Sequence, residues 1–478
     1  MQKDRRQSPT ESSLLFEIDP EPAKESITVF GGIPLVVHTC RALGLARSVK
    51  DNIRVKERER GFDEATLVES FIVLNATGAD KIDDFDHLRE DQGLQELIGH
   101  KLPSSSVARQ FLYAFHEEEK IEEAKQRRLP DEIAYIPEES ERLTGLGKVN
   151  QDLVIEFGRR VPDEKIATVD QDATIMKSRK QEALPTYKGG KGYQPMLAMW
   201  AETEMILADE FRDGNVPSMM EPLTVAKRAF ACLPPTVEEF YFRGDSACHE
   251  SHLLNWLRDD KREQGPKSRI GFAISAKMSE ALKAAIKQVG KKDWHVYGDQ
   301  SDDVVRECAD VVFVSEQEAK NRDSQPLRYV AIRIQKKQGE LFADGSSVKH
   351  FAIVSNIWEW EAEKLIDWHR EKAGTIEHVN DVIKNELAAG VMPCSRFGAN
   401  AAWLRLAVIS HNVITALKRL GLPKDLKTAR PKRLRFLIFN TAGRVVHHAR
   451  QIILRLCTTQ QRLKAYWLDA IAAIAVAT

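Results

Sequence analysis

Three acidic motifs in this chain have residue types that bind hard divalent cations. Thr168–Thr174 reads TVDQDAT and Tyr241–Ala247 reads YFRGDSA. The third motif is Glu377, inside REKAGTIEHVNDVIKNEL at Arg370–Leu387. That stretch has a strongly helical pattern, which puts Lys384 on the same helix face as Glu377. Each Asp motif closes a short apolar, strand-like run, so Asp170 or Asp172, and Asp245, can project carboxylates into a cleft at the strand ends. Mg2+ prefers oxygen ligands and keeps several waters, so one or two carboxylates per ion suffice. Two ions held by Asp, Asp and Glu could activate a water or a 3′-hydroxyl and stabilise the leaving oxygen of an in-line displacement. The chemistry to expect is phosphoryl transfer on nucleic acid, with two Mg2+ per site and Mn2+ as a substitute.

Each motif also has a plainer reading. Asp and Thr side chains cap turns and helices, Gly244 lets a strand-end turn bend, and Glu/Lys pairs decorate many helices. Cys248 and His249 have no matching partner pair, so a zinc site is not expected.

The elements that must position these acids follow from periodicity. Residues 1–25 are polar and read as a mobile segment. Residues 26–150 read as an all-α domain for DNA binding or dimerisation, with helical patterns at Pro34–Leu45, Glu64–Asn75 and Ser105–Phe115. Acidic Leu129–Glu141 reads as a linker. Within 151–290 the runs Ile166–Val169, Tyr193–Ala201 and Met205–Phe211 read as strands, the last two as a hairpin. Pro222–Leu233 (helix), Glu239–Arg243 (strand), Glu250–Arg262 (helix), Ile270–Ser275 (strand) and Ser279–Val289 (helix) follow. That order matches the first part of an α/β, ribonuclease H-like layered core whose first three strands are antiparallel. Residues 291–357 read as a β-rich insertion. Residues 358–395 read as the core helix carrying Glu377, and 396–478 as a helical, basic C-terminal region.

A chain of 478 residues is too long for one simple core. Its 42% apolar and 29% charged content is that of an ordinary globular protein. The net charge of −1 gives no sign of a nucleic-acid binder, but it hides an asymmetry. From Lys418 to Lys464 the only acid is Asp425, a cationic footprint suited to phosphate backbones. Pairing of these cations with the acidic N-terminal region is the alternative. Within the footprint, Lys432, Arg433 and Arg435 are candidate DNA contacts. So are Lys188 and Lys191 in PTYKGGKGY, whose Gly-rich loop could cradle a phosphate, or simply be a solvated hairpin. Trp358 and Trp360 could stack on an unpaired base, or serve the core. The six cysteines form no CxxC pair or disulfide framework, and no apolar leader or membrane-length run is present, so a reducing cytoplasm is expected.

Taken together, the blocks VDQDAT, LPTYKGGKGYQPMLAMWAE, DEFRDGNVP, YFRGDSA, REKAGTIEHVNDVIKNELAAG, RFGANAAWLRL and ARPKRLRF resemble the bacterial insertion-sequence DDE transposases. The chain looks closest to the group typified by the element "IS thirteen-eighty". The resemblance runs from about Val169 to Phe436. It implies that Asp172, Asp245 and Glu377 are the metal-binding acids, with Asp170 a close rival for the first place. A Tyr, Arg, Glu, Lys signature of the wider superfamily is only partly kept. Lys384 has its spacing, whereas the Tyr position falls on Arg370 and the Arg position on Ala373, with Trp368, His369 or Arg370 as substitutes. The resemblance further implies a nucleoid-associated enzyme that acts as a homodimer on terminal inverted repeats and target DNA, by cut-and-paste transposition. A nuclease of the same fold that does not join strands, or a silent DNA-binding descendant, are the alternatives.

Overall fold

The computed structural model describes residues 26–55, 61–128, 133–298, 304–315, 326–336, 341–342, 344–458 and 460–476. The N-terminal segment expected to be mobile lies outside them. After a two-residue strand β1 (Ile27–Thr28) come helices α1 (Ile33–Ala42), α2 (Leu45–Asn52), α3 (Glu64–Thr77), α4 (Asp84–Leu88), α5 (Gln92–Ile98), α6 (Ser105–Tyr113) and α7 (Glu118–Arg127). Side-chain caps start several of them. Asp63 accepts from the Thr66 amide at 2.6 Å, and Ser104 from that of Val107 at 3.3 Å.

Helix α8 (Glu141–Arg160) runs unbroken through position 150, where a domain boundary was expected. It belongs to the layer below the sheet: Asn150 Nδ2 donates to Ile206 O at 3.0 Å. Eight strands and three helices follow. They are β2 (Ile166–Ala173), β3 (Met176–Lys177), β4 (Leu184–Pro185), β5 (Lys191–Tyr193), β6 (Met196–Trp200), β7 (Met205–Glu210), α9 (Pro222–Ala231), β8 (Glu239–Gly244), α10 (Ser251–Arg258), β9 (Ile270–Ser275) and α11 (Glu280–Gln288). Next come β10 (His295–Val296), β11 (Val304–Val311), β12 (Arg328–Lys336) and β13 (Val348–Ser355).

The main sheet has nine strands in the order β10-β11-β12-β13-β9-β8-β2-β6-β7. Strands β2, β8 and β9 are parallel neighbours; every other pairing is antiparallel. Both β6 and β7 are buried along their whole length, which explains their continuous apolar runs. The strand-rich segment after Lys291 continues this sheet, because β13 pairs with β9.

The helical run expected over Glu359–Leu387 is two helices, α12 (Ala362–Arg370) and α13 (Lys372–Glu386), joined at Glu371. Helix α14 (Phe397–Gly421) is buried on nearly every side and forms the centre of the helical part. It packs against α1, α3, α6 and α8 as well as β7. One large apolar cluster therefore runs from Ile33 to Ile474, and a second, smaller one, including Val330, Ile353 and Leu365, lies between the β11–β13 strands and α12.

The C-terminal region departs from the expected all-helical form. After α15 (Pro431–Leu434), strands β14 (Gly443–His448) and β15 (Gln451–Leu456) form a hairpin that also pairs with β1, before α16 (Gln461–Val476). Its turn residues, Ala449 and Arg450, have φ of 46° and 67°. Left-handed turns of this kind usually carry Asn or Gly, so the sequence lacks the usual turn signal.

A buried ion network ties this frame together. Arg405 donates to Asp209 Oδ1 at 3.0 Å and to Glu139 Oε1 at 2.8 Å, and Arg228 reaches Glu139 Oε1 at 2.6 Å. Burial pushes the Glu139 carboxyl up, but Arg405 and then Arg228 outweigh it and bring it down to about 2. A depressed folded-state pKa contributes stability above the unfolded value, and that contribution is lost as pH falls through about 2. Glu139→Gln should therefore cost roughly 3 kcal/mol at neutral pH. The gap from wild type should narrow steadily in acid, as read from urea unfolding over a pH series.

Candidate active site

The parallel ladder between β2 and β8 places the first two acids. Its last registered pairs are Asp170 with Arg243 and Gln171 with Gly244. Asp172 and Asp245 are the next positions on neighbouring strands, which lie about 4.8 Å apart. Alternation puts Asp170 and Asp172 on one face of β2. Gln171 points to the other face, where its Nε2 donates to Pro222 O at 2.9 Å. Gly244 is required for space and not for a bend: a Cβ there would lie 2.5 Å from Cys248 Cβ. Asp245 caps the turn that follows, its Oδ1 accepting from the Ala247 amide at 3.0 Å.

Helix α13 lies across the acid-bearing face. Thr375 Oγ1 donates to Asp170 Oδ2, and Lys384 Nζ donates to Thr174 Oγ1 at 2.9 Å. Lys372 Nζ stands 3.7 Å from Asp172 Oδ1. Glu377, one turn on from Ala373, is exposed. Burial pushes the Asp172 carboxyl up; Lys372 pulls it back, while the charges of Asp245 and then Glu377 add to the rise, and it reaches about 6. Asp245 and Glu377 are thus both in electrostatic reach of Asp172. Among the described residues, no three His, Cys, Asp or Glu side chains close around one ion-sized point. The donor set, all carboxylate oxygen, nonetheless fits a hard divalent cation. A cation there would also relieve the repulsion that burdens Asp172.

Asp170 has a different environment from its neighbour two residues on. It is fully buried, and Arg243 grips it at both oxygens, Nε to Oδ1 at 2.7 Å and Nη2 to Oδ2 at 3.0 Å. Arg243 also donates to Trp368 O at 2.6 Å and to Glu371 Oε2 at 3.0 Å, so it pins the α12–α13 junction to the sheet. Among the described residues, Asp172 has no such arginine clamp, and its ion-pair partner is Lys372.

The other sequence candidates divide. Arg370 lines a groove beside Asp245 and donates to Tyr297 Oη at 2.6 Å. His369 is half-buried with its Nε2 3.1 Å from Gly244 O, and burial brings its imidazole down to about 4. Trp368 and Trp360 pack on Tyr241, whereas Trp358 is exposed. Lys188, in the β4–β5 turn, and Lys191, on β5 of the small β3-β5-β4 sheet, are exposed, Lys191 donating to Gln181 O at 3.1 Å. Lys432 and Arg433 are exposed on α15, but Arg435 turns inward and donates to Ala76 O, Asn75 O and Glu386 O. Three of its donors are spent on holding helix ends together. Lys418 and Arg430 are likewise drawn into pairs, with Glu204 and with Asp381 and Glu386. These partners sit in the β6–β7 turn and on α13, not in the acidic N-terminal region. Lys372, Arg243 and Thr375 were missed by sequence reasoning. Their only signal is position, beside Glu377 in one motif and before Asp245 in the other.

A family model described as "Transposase DDE domain group 1" matches residues 23–475. No curated protein matches the chain.

Proposed function

Because the chain belongs to the transposase DDE domain group 1 family, we propose that it cuts DNA at terminal inverted repeats and joins the freed 3′-hydroxyl ends to target DNA, the cut-and-paste route. The observation that carries this reading is the pair of adjacent parallel strand ends bearing Asp172 and Asp245, with α13 laid across them and Glu377 in electrostatic reach. The strand order β7-β6-β2-β8-β9, with its first three strands antiparallel and the next two parallel, supports a ribonuclease H-like core. The motif blocks favour membership of the "IS thirteen-eighty" group.

In this reading Asp172, Asp245 and Glu377 hold the metal, two Mg2+ per site with Mn2+ as a substitute. When bound, the metal supplies an activated water or 3′-hydroxyl and charge stabilisation for the leaving oxygen. Lys384, now bonded to Thr174, turns its ammonium to a phosphate of the DNA end, and Arg370 steadies the strand on the other side of Asp245. Exposed Lys188, Lys191, Lys432 and Arg433 extend the backbone contacts. Two ends require at least two protomers, so the active species is a homodimer on DNA. No described helix is long and apolar enough to cross a membrane.

The test uses a labelled duplex carrying the DNA that flanks this gene, incubated with the full chain and Mg2+ or Mn2+. Nicking that exposes a 3′-hydroxyl, followed by joining of a pre-cleaved end to a second duplex, is the expected result. Cleavage without joining would assign a nuclease, and binding without cleavage a silent DNA-binding protein.

A further inference from the structure

Two cations are buried on the acid-bearing face of the sheet, and they are held in opposite ways. Arg243 is locked onto Asp170 by two short hydrogen bonds and carries two more to α12 and Glu371. Lys372 is 7% exposed, and its ammonium lies 3.7 Å from Asp172, too far for a hydrogen bond. Among the described residues, nothing accepts a hydrogen bond from it, and it is the one cation within ion-pair distance of Asp172. An ammonium with no hydrogen bond to the protein is held there by charge alone. Its flexible stem lets it move at little cost, unlike a planar guanidinium fixed at both oxygens. The lysine therefore stands where a cation is needed and is the less secured of the two buried cations.

We propose that Lys372 is a resident counter-ion of the acid cluster: it neutralises Asp172 while no metal is bound, yields that place to an incoming divalent cation, and then turns its ammonium to an oxygen of the DNA phosphate. This rests on the proposed function, since it assumes that Asp172 is a metal ligand. It makes Lys372 a competitor of the metal in the free protein and a helper of cleavage in the complex. Those two effects have opposite signs, and a purely structural lysine would not show both.

The experiment measures Mn2+ affinity by calorimetric titration of the full chain without DNA, for wild type, Lys372→Met and Lys372→Arg. The metal-induced rise in unfolding temperature and the cleavage rate at saturating metal are recorded beside it. Lys372→Met should bind Mn2+ on the order of tenfold more tightly, show a larger metal-induced rise, and yet cleave at least about tenfold more slowly. Lys372→Arg, which keeps the charge, should retain the weaker affinity. Unchanged or weaker metal binding by Lys372→Met would overturn the proposal, because the lysine would then merely prop Asp172. Equal cleavage by Lys372→Met and wild type would overturn the phosphate step. Should Lys372→Met not fold, Lys372→Gln is read against the same outcomes. If wild type binds no divalent metal, the proposed function itself falls and this inference with it. If it binds metal but cuts no repeat, the titration still decides the counter-ion role.

Discussion

Glu377→Gln removes metal-dependent strand cleavage, by on the order of a thousandfold or more, and leaves both folding and DNA binding in place. The side chain is exposed and, among the described residues, makes neither a hydrogen bond nor an ion pair, so the frame does not depend on it. Substitutions at such positions change stability by about 0.5 kcal/mol or less. Its charge nevertheless reaches Asp172 across the cleft and helps to raise that carboxyl. Gln keeps the shape and an oxygen but removes the negative charge a divalent cation requires. The readouts are nicking of a repeat duplex, retardation of the same duplex in a gel, and the unfolding temperature. Retained cleavage in Glu377→Gln would remove this residue from the site. Loss of binding together with cleavage would make it a DNA contact instead.

The core of the fold was legible because strand and helix periods alternate cleanly through Ile166–Gln288. Each strand expected there exists, and the acids stand at the strand ends where the apolar runs stop. What the sequence could not supply is register. Asp170 and Asp172 are both polar, both on one face and two residues apart, so neither pattern nor spacing separates them. The choice depends on which residue of YFRGDSA lies opposite, and that is Arg243 beside Asp170. Lys372 was missed for a related reason: of the two lysines on this helix, which one is buried is decided by the surface it lands on. The hairpin of β14 and β15 was read as helix because its turn is Ala449-Arg450, with no Gly or Asn to mark it. The cationic C-terminal stretch was legible as charge but not as surface. Arg435, Lys418 and Arg430 are held by partners elsewhere in the fold, whereas Lys424, Lys432, Arg433, Arg444, Arg450 and Arg455 are exposed.

The two neighbouring aspartates should separate by experiment as they do by environment. Arg243→Met should destabilise the protein by about 3–5 kcal/mol, because it strands the Asp170 carboxylate in a dry interior. Asp170→Leu should cost a similar amount by stranding the guanidinium. Replacing both, Asp170→Leu with Arg243→Met, should recover much of that loss, since a buried ion pair exchanged for apolar side chains is often near neutral. Cleavage should not recover with it. Arg243 also binds Trp368 O and Glu371, and so fixes the junction from which Lys372 and Glu377 are presented to the strand ends. Asp172→Asn should behave in the reverse way. It relieves a carboxyl that burial and two nearby acids already burden, so stability should hold or rise while cleavage is lost. Urea unfolding and the nicking assay on the same variants decide the matter. If Asp170→Asn abolishes cleavage at full stability while Asp172→Asn unfolds the chain, the roles of the two residues are exchanged. If the double variant regains both stability and cleavage, Arg243 is a structural counter-charge alone and does not set the reach of α13.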